Sequence, residues 1–238
     1  MKITLCIPCV DKHIPLLINL LKTIPKFSRK PDNIMIGLSP KFNNIELNTE
    51  KEKLLTLFPD LPLTIIVQNK KTIAAEHLNN MGKLINDGFI VRADADDIIH
   101  PQKLEIIEKI LEKYPDTKLI LHRWYFSQKR DYSMTKFSYI NDYSFKNEIF
   151  TDIKCENLII SENFSKKYKR EPDFLSKSNW IVNGANSYSF SVFKDVLYKN
   201  ISFAEDTIFN RDVTRKYNKT IFLDIKLIDI ISSGTWRN

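Results

Sequence analysis

Three carboxylates crowd into four residues, Asp94, Asp96 and Asp97, in the stretch FIVRADADDIIHP, Phe89 to Pro101. The run before them is apolar, so they stand at the end of a core strand. Like charges at this spacing repel, and burial strips each of hydration; without a cation at least one must hold a proton. A divalent ion removes the conflict, because hard carboxylate oxygens suit Mg2+ or Mn2+. Such ions are usually shared between one or two carboxylates and the phosphates of a substrate. Asp97 stands close enough to Pro101 to cap the helix that follows, but capping needs one acid, not three. A second acidic pair, Glu205–Asp206, opens a later helical segment. There it is equally a complement to the helix dipole or a source of a general base.

The elements that must position these acids alternate along the first half of the chain. Ile3–Cys9, Asn33–Ser39, Leu63–Asn69, Phe89–Asp94 and Lys118–Phe126 read as strands. Between them, Ile14–Ile24, Asn48–Phe58, Thr72–Asp87 and Pro101–Tyr114 carry helical signals. Pro15 and Pro101 lie in first turns, Pro59 and Gly88 act as stops, and Leu104, Ile107 and Leu111 repeat at helical spacing. Strands joined by helices of this length pair in parallel through right-handed crossovers. The expectation is an α/β fold with a Rossmann-like, mostly parallel open sheet flanked by helices. In such a sheet ligands bind beyond the carboxyl ends of the strands, where the three acids fall. Residues 127–180 are rich in Tyr, Phe, Ser, Asn and Lys without a clean period, and read as an irregular region that shapes a substrate site. Helices are expected again over Ser189–Lys199 and Ala204–Tyr217, then a last strand, Thr220–Ile231.

At 238 residues the chain can bury a substantial core. Its 43% apolar and 27% charged content suit a globular protein, and five glycines with ten prolines exclude a collagen-like or low-complexity one. The formal charge of +7, from 36 Lys and Arg against 29 Asp and Glu, favours acidic partners such as nucleotide phosphates. The densest basic cluster, SKKYKREP at Ser165–Pro172, is too short for a nucleic-acid groove, so no nucleic-acid partner is expected. No membrane span is visible, and the N-terminus meets Asp11 too soon for a signal peptide; a cytoplasmic location is the expectation. Cys6 and Cys9 form a C-x-x-C within a strand rather than at a helix start, and only Cys155 remains to complete a zinc set. They are expected to be reduced strand residues. His13, His77, His100 and His122 pair at no metal spacing and read as packing or surface residues, with His100 near enough to the acids to reach phosphate or metal.

GFIVRADADDIIHPQKLE resembles the D-x-D-D segment of GT-A-fold glycosyltransferases, the inverting family 2 in particular. Gly88, Asp94, Ala95, Asp96, Asp97, Pro101, Leu104 and Glu105 fall in its register. NNMG, Asn79–Gly82, matches that family's R-N-x-G helix, and CIPCVDK resembles its I-P-x-Y-N strand end. WIVNGANSYSFSVFKDV followed by AEDTIFNRDV resembles its acceptor segment and E-D motif. Together these cover most of the chain.

The resemblance implies one GT-A domain with a nucleotide-sugar-binding half, 1–126, and an acceptor-binding half, 127–238. The implied activity is inverting, single-displacement transfer of a hexosyl or deoxyhexosyl group. The donor would be a nucleotide diphosphate sugar, UDP by family frequency, the acceptor a hydroxyl of a glycan or similar molecule, and the cofactor Mn2+ or Mg2+. Asp96, helped by Asp94, would bind metal and donor, with Ala95 between them. Asp206, with Glu205 beside it, would take the acceptor proton. Pro8, Val10 and Asp11 would line base and ribose, Ser39 takes the place of a base-reading acid, and Trp180, Asn183 and Gly184 fall in the acceptor segment.

Three departures stand out. The family's donor-contacting arginine is Asn79 here; Arg92, on the same strand face as Asp94, is either its replacement or a salt-bridging strand residue. Ser39 replaces an acid. The stretch SSGTWRN carries no histidine to complete a metal shell. Other chemistries share parts of the pattern. An aspartyl-nucleophile phosphatase has a strand followed by D-x-D-x-T/V, which VRADADDI approaches, but FLDIKLIDI is a poor match for its later lysine and acidic pair. A sugar nucleotidyltransferase shares the fold class and metal acids, but CIPCVDKH lacks its Gly- and Arg-rich phosphate loop. A basic module for an anionic polymer is the non-enzymatic alternative, with salt-sensitive binding indifferent to Asp96.

Overall fold

The structure, a computed structural model, describes residues 1–42, 46–127, 137, 140, 150–153, 185–201, 205–217 and 220–231. Its elements begin with β1 (Ile3–Val10), α1 (Ile14–Thr23), β2 (Asn33–Ser39), α2 (Asn48–Leu57), β3 (Leu63–Val67) and α3 (Ala74–Gly82). Then follow β4 (Phe89–Arg92), β5 (Ile98–Ile99), α4 (Lys103–Lys113), β6 (Leu119–Ser127), β7 (Phe150–Ile153), β8 (Asn186–Ser189), α5 (Glu205–Tyr217) and β9 (Thr220–Ile231).

Among the described residues the strands join one sheet in the order β3-β2-β1-β4-β8-β6-β9-β5, with β7 also on β9. The first four are parallel. Strand β8 enters antiparallel to both β4 and β6, and β9 returns parallel to β6. The expected open α/β sheet is present, and its second half is mixed. The chain lays β2 and β3 on one side of β1 and then crosses to β4 on the other. The carboxyl ends of β1 and β4 are therefore where a sheet of this order receives a ligand.

Period-two alternation decides which helix meets which face. Ile3, Leu5, Ile7 and Cys9 of β1 join Leu17 and Leu21 of α1, Leu54 of α2, and Leu104, Ile107 and Leu111 of α4 in one core. Cys6 and Ile90 point the other way, to Leu78 and Met81 of α3 and Phe209 and Val213 of α5. With both faces covered, β1 can be apolar throughout, and all eight of its residues are buried. Pro8 costs this central strand nothing. Cys6 O accepts the last bond from the β4 side, from Ala93 N at 3.1 Å. Two residues on, Pro8 faces that same side beyond the end of the ladder.

Several boundaries differ from the sequence reading. The helix expected over Thr72–Asp87 ends at Gly82, and Gly88 serves the following turn instead. Its φ is +83°, and a Cβ there would lie 2.3 Å from Lys2 O. Gly88→Ala is expected to destabilise the fold by about 2 kcal/mol or more. Thermal unfolding should show this as a loss of about 4–8 °C. The helix expected over Ser189–Lys199 is instead the end of β8 and a 3-10 turn, Phe190–Lys194. The two-residue β5 and the strand β7 had no signal. Most of residues 127–180, with SKKYKREP, Cys155 and SSGTWRN, lie outside the described residues. Cys6 and Cys9 are free and buried, as expected of reduced strand residues. Burial pushes the Cys6 thiol up to about 12 and Cys9 higher still, with Asp96 and Asp11 adding to the second. No helix among the described residues is long and apolar enough to cross a membrane.

Candidate active site

The three acids follow β4 in a turn that one of them holds together. Asp97 Oδ2 accepts from Asp94 N at 2.7 Å, and Asp97 N donates to Asp94 O at 3.1 Å. Asp97 therefore closes its own turn and does not cap α4, whose N-cap residue, Gln102, also makes no side-chain cap bond. The role expected of Asp97 at the helix start is corrected by this geometry: its carboxylate faces back along the chain. Asp97 is buried, whereas the Asp94 side chain keeps 19% exposure and Asp96 9%. Asp94 is the most exposed of the three, and Ala95 and Asp96 after it are buried.

Two fully buried cations lie beneath the acids, Arg92 and Lys103. Arg92 Nη2 stands 3.6 Å from Asp94 Oδ1 and 3.3 Å from Glu205 Oε1. Lys103 Nζ donates to Arg92 O at 3.3 Å. Burial lowers Lys103 to about 7 against the pull of Asp97, while burial, Asp94 and Asp96 raise Asp97. Asp94 and Glu205 meet at Arg92, and Asp206 also acts on it. Carboxylate oxygen is the donor type that Mn2+ and Mg2+ take, and Asp94 and Asp96 supply it two residues apart. Among the described residues no group of three His, Cys, Asp or Glu side chains could hold an ion by itself.

Glu205 and Asp206 open α5 on the other side of Arg92. Glu205 is buried and Asp206 partly exposed. Asp206 Oδ1 accepts from Thr207 N at 2.7 Å. Burial raises the Asp206 carboxyl to about 6; Glu205 and Asp94 add to this, and Arg92 and the Thr207 bond oppose it. A partly exposed carboxylate with that pKa is suited to accept a proton near neutral pH.

At the mouth of β1 and β2, Asp11 Oδ1 accepts from Lys12 N at 2.8 Å and Lys41 N at 2.9 Å, tying the two strand ends together. Burial lowers the Lys12 ammonium, and the adjacent Lys41 ammonium lowers it further, while Asp11 and Asp96 pull it up. Val10 and Pro8 form the buried strand end beneath. The Ser39 hydroxyl is turned inward, 2.9 Å from His77 Nε2 and 3.4 Å from Thr72 O. Burial takes His77 down to about 4, so it is neutral there. Asn79 spends both ends of its amide on one backbone unit: Nδ2 donates to Tyr198 O at 2.8 Å and Oδ1 accepts from Tyr198 N at 2.9 Å. His100 is buried, its Nδ1 accepting from Gln102 N at 3.0 Å and its ring 4.7 Å from Phe137. Trp180, Asn183 and Gly184 lie outside the described residues.

The fold thus brings Asp94, Asp96, Arg92, Glu205 and Asp206 together. It places Asp11 at the mouth and keeps Ser39 and Asn79 engaged within the protein. Lys103, Lys12, Lys41 and Tyr198 carried no sequence signal. A helical lysine two residues after a proline reads as solvated surface until β4 is seen to end above it.

No family model matches the chain, and no curated protein matches its sequence. Solved structures do match. TarS 1–349 from S. aureus is 14% identical with a TM-score of 0.66, over 98% of this chain and 61% of that one. The same protein in complex with UDP-GlcNAc is 13% identical with a TM-score of 0.66, over 98% and 59%. The mannosyltransferase PcManGT from Pyrobaculum calidifontis, in complex with GDP-Man and Mn2+, is 11% identical with a TM-score of 0.63, over 98% and 58%. The chain spans about 60% of the length of these structures. Identities this low speak to architecture alone: the chain has the α/β, GT-A-like fold of these glycosyltransferases.

Proposed function

We propose that the chain transfers a sugar from a nucleotide diphosphate sugar to a hydroxyl of a glycan or similar acceptor, with inversion. The donor lies in the half formed by residues 1–126 and the acceptor in the half formed by 127–238. The observation that carries this reading is the meeting of Asp94, from the acidic turn after β4, and Glu205, from the Glu205–Asp206 pair, on one buried arginine. Two neighbours of this fold, TarS and PcManGT, hold UDP-GlcNAc and GDP-Man. A UDP-sugar is the preferred donor because TarS also binds UDP.

The residues divide the work. Val10 and Asp11, with the backbone at Ser39, form the strand ends on which base and ribose rest. Lys12 and Lys41, two ammoniums side by side, gain from a nucleotide phosphate between them. Asp96 and Asp94 hold a Mn2+ or Mg2+ ion, which supplies charge stabilisation for the leaving diphosphate. Asp206 takes the proton of the acceptor hydroxyl as its oxygen bonds to the anomeric carbon. The bond from that carbon to the diphosphate oxygen breaks, and the nucleoside diphosphate leaves with the electron pair. Attack from the face opposite the leaving group inverts the anomeric centre.

A screen of sugar nucleotides for hydrolysis without acceptor tests this directly. One sugar nucleotide should release nucleoside diphosphate in Mn2+ or Mg2+ and none should in chelator. Pyrophosphate released from a nucleoside triphosphate and a sugar phosphate would instead mark a nucleotidyltransferase. A stable fluoroberyllate adduct at Asp94 would mark an aspartyl phosphatase.

A further inference from the structure

Arg92 belongs to both halves of the site. It closes β4, has no exposed surface, and reaches through one nitrogen to Asp94 and to Glu205, which lies 113 residues further along the chain. Its guanidinium lies over the Tyr198 ring, 5.4 Å from the centroid. Tyr198 is itself fixed: the Asn79 amide holds its backbone, and its ring stacks on Phe209 at 3.9 Å with 5° between the planes. Phe209 stands one turn after Glu205 on α5. The helix that carries the carboxylate partner therefore also carries the stack beneath the cation. Gly82 serves the same assembly, since a Cβ there would lie 2.6 Å from the Phe193 ring, which packs beside Tyr198 and Phe209.

A buried ion pair is weak evidence of a stabilising role, because apolar residues of similar volume often serve as well. It is stronger evidence of registration. Here a planar fork joins a strand end to a helix start, a task that a lysine's point charge does poorly. Arg92 Nε and Nη1 are buried without a hydrogen-bond partner among the described residues. The link between the acids therefore runs through Nη2 and the ring stack.

We infer that Arg92 is a positioning residue, not a donor contact: it sets the first turn of α5 against the donor-side acids, and through Glu205 it aims Asp206 at the acceptor oxygen. What Asp206 does once aimed rests on the transfer reading above; the link itself does not.

Two measurements decide it. The first is a thermal cycle of Arg92→Met, Glu205→Gln and the double variant. The double variant should melt within about 2–4 °C of the less stable single variant. Additive losses would remove the link. If Arg92→Met does not fold, Arg92→Lys completes the same cycle. The second is Arg92→Lys studied with UDP and Mn2+ by calorimetry, and with whichever of UDP-GlcNAc and GDP-Man the unaltered chain uses. The Kd for UDP should stay within about threefold while kcat falls about 10²-fold, the scale of a misplaced reacting group. A weakened Kd with kcat preserved would make Arg92 a donor contact and overturn the inference. The cycle needs no turnover, so a chain that transferred neither sugar would sink the transfer reading and leave the link to be judged by melting alone.

Discussion

Asp206→Asn is expected to lower sugar transfer by about 10²–10⁴-fold, the contribution of a well-placed general base, while UDP binding with Mn2+ stays as it was. The two effects separate because Asp206 stands on α5, across Arg92 from Asp94. Asparagine keeps the oxygen that accepts from Thr207 N and loses only the capacity to hold a proton. Burial is what raises the carboxyl to about 6, so it is ionised above that pH. The acid limb of kcat/KM against pH should therefore fall near 6, with transfer lost as the pH drops through it.

The same shift has a consequence for stability, with the opposite preference. A carboxyl whose folded pKa lies above its unfolded value favours folding at low pH, fully so below about 3.8, and that contribution is lost as pH rises through about 6. At pH 8 the ionised Asp206 thus costs the folded state about 1–3 kcal/mol. Asparagine removes the cost, so Asp206→Asn should melt several degrees higher than the unaltered chain at pH 8 and show no such gain at pH 4. A variant that is inactive and more stable in alkali is the signature of a charge kept for chemistry. Full transfer by Asp206→Asn would place the base elsewhere.

The half of the site at the ends of β1 and β4 is legible in the sequence because it depends on local rules. Apolar strands, proline-started helices and a carboxylate cluster after a strand each follow from neighbours a few residues apart, and β1 to β4 lie where those rules put them. The other half depends on distant partners. Asn186–Ser189 has too few residues and too little apolar alternation to read as a strand. It becomes one because β4 and β6 pair with it and because Asn186 Nδ2 finds Asn210 Oδ1 at 2.9 Å. Phe190, Phe193 and Leu197 fall at helical spacing, yet Ser189 Oγ accepts from Ser191 N and turns the chain after the strand. Asn79 shows the same limit from the other direction. Its place in NNMG is plain, but the partner it holds, Tyr198, lies 119 residues away. Ser39 is similar: Gly37, where a Cβ would lie 2.5 Å from His77 Nδ1, makes room for the ring that takes up the Ser39 hydroxyl.

The other large effect is expected at Asp96. Of the three clustered acids, Asp97 is committed to its own turn and Asp94 shares Arg92 with Glu205. Asp96 lies toward the mouth of β1, where its charge helps raise the Cys9 thiol and supports the Lys12 ammonium. In the proposed transfer it is the acid that shares an ion with a diphosphate lying across the ends of β1 and β4. Residues that merely orient a metal ligand cost about 10–100-fold in metal affinity when removed, and a ligand itself should cost at least as much. Asp96→Ala is thus expected to weaken UDP binding in Mn2+ by about 100-fold, down to the affinity that the unaltered chain shows in chelator. In chelator the two proteins should bind UDP within a few-fold of one another, because the strand ends and lysines that receive the nucleotide are intact. Calorimetry of both proteins with and without Mn2+ completes the comparison. Asp206→Asn supplies its complement, since it should keep the full effect of the ion on binding and still fail to transfer. Retention of Mn2+-dependent UDP affinity by Asp96→Ala, or its absence from the unaltered chain, would mean that the acids at the end of β4 do not share a cation with the nucleotide.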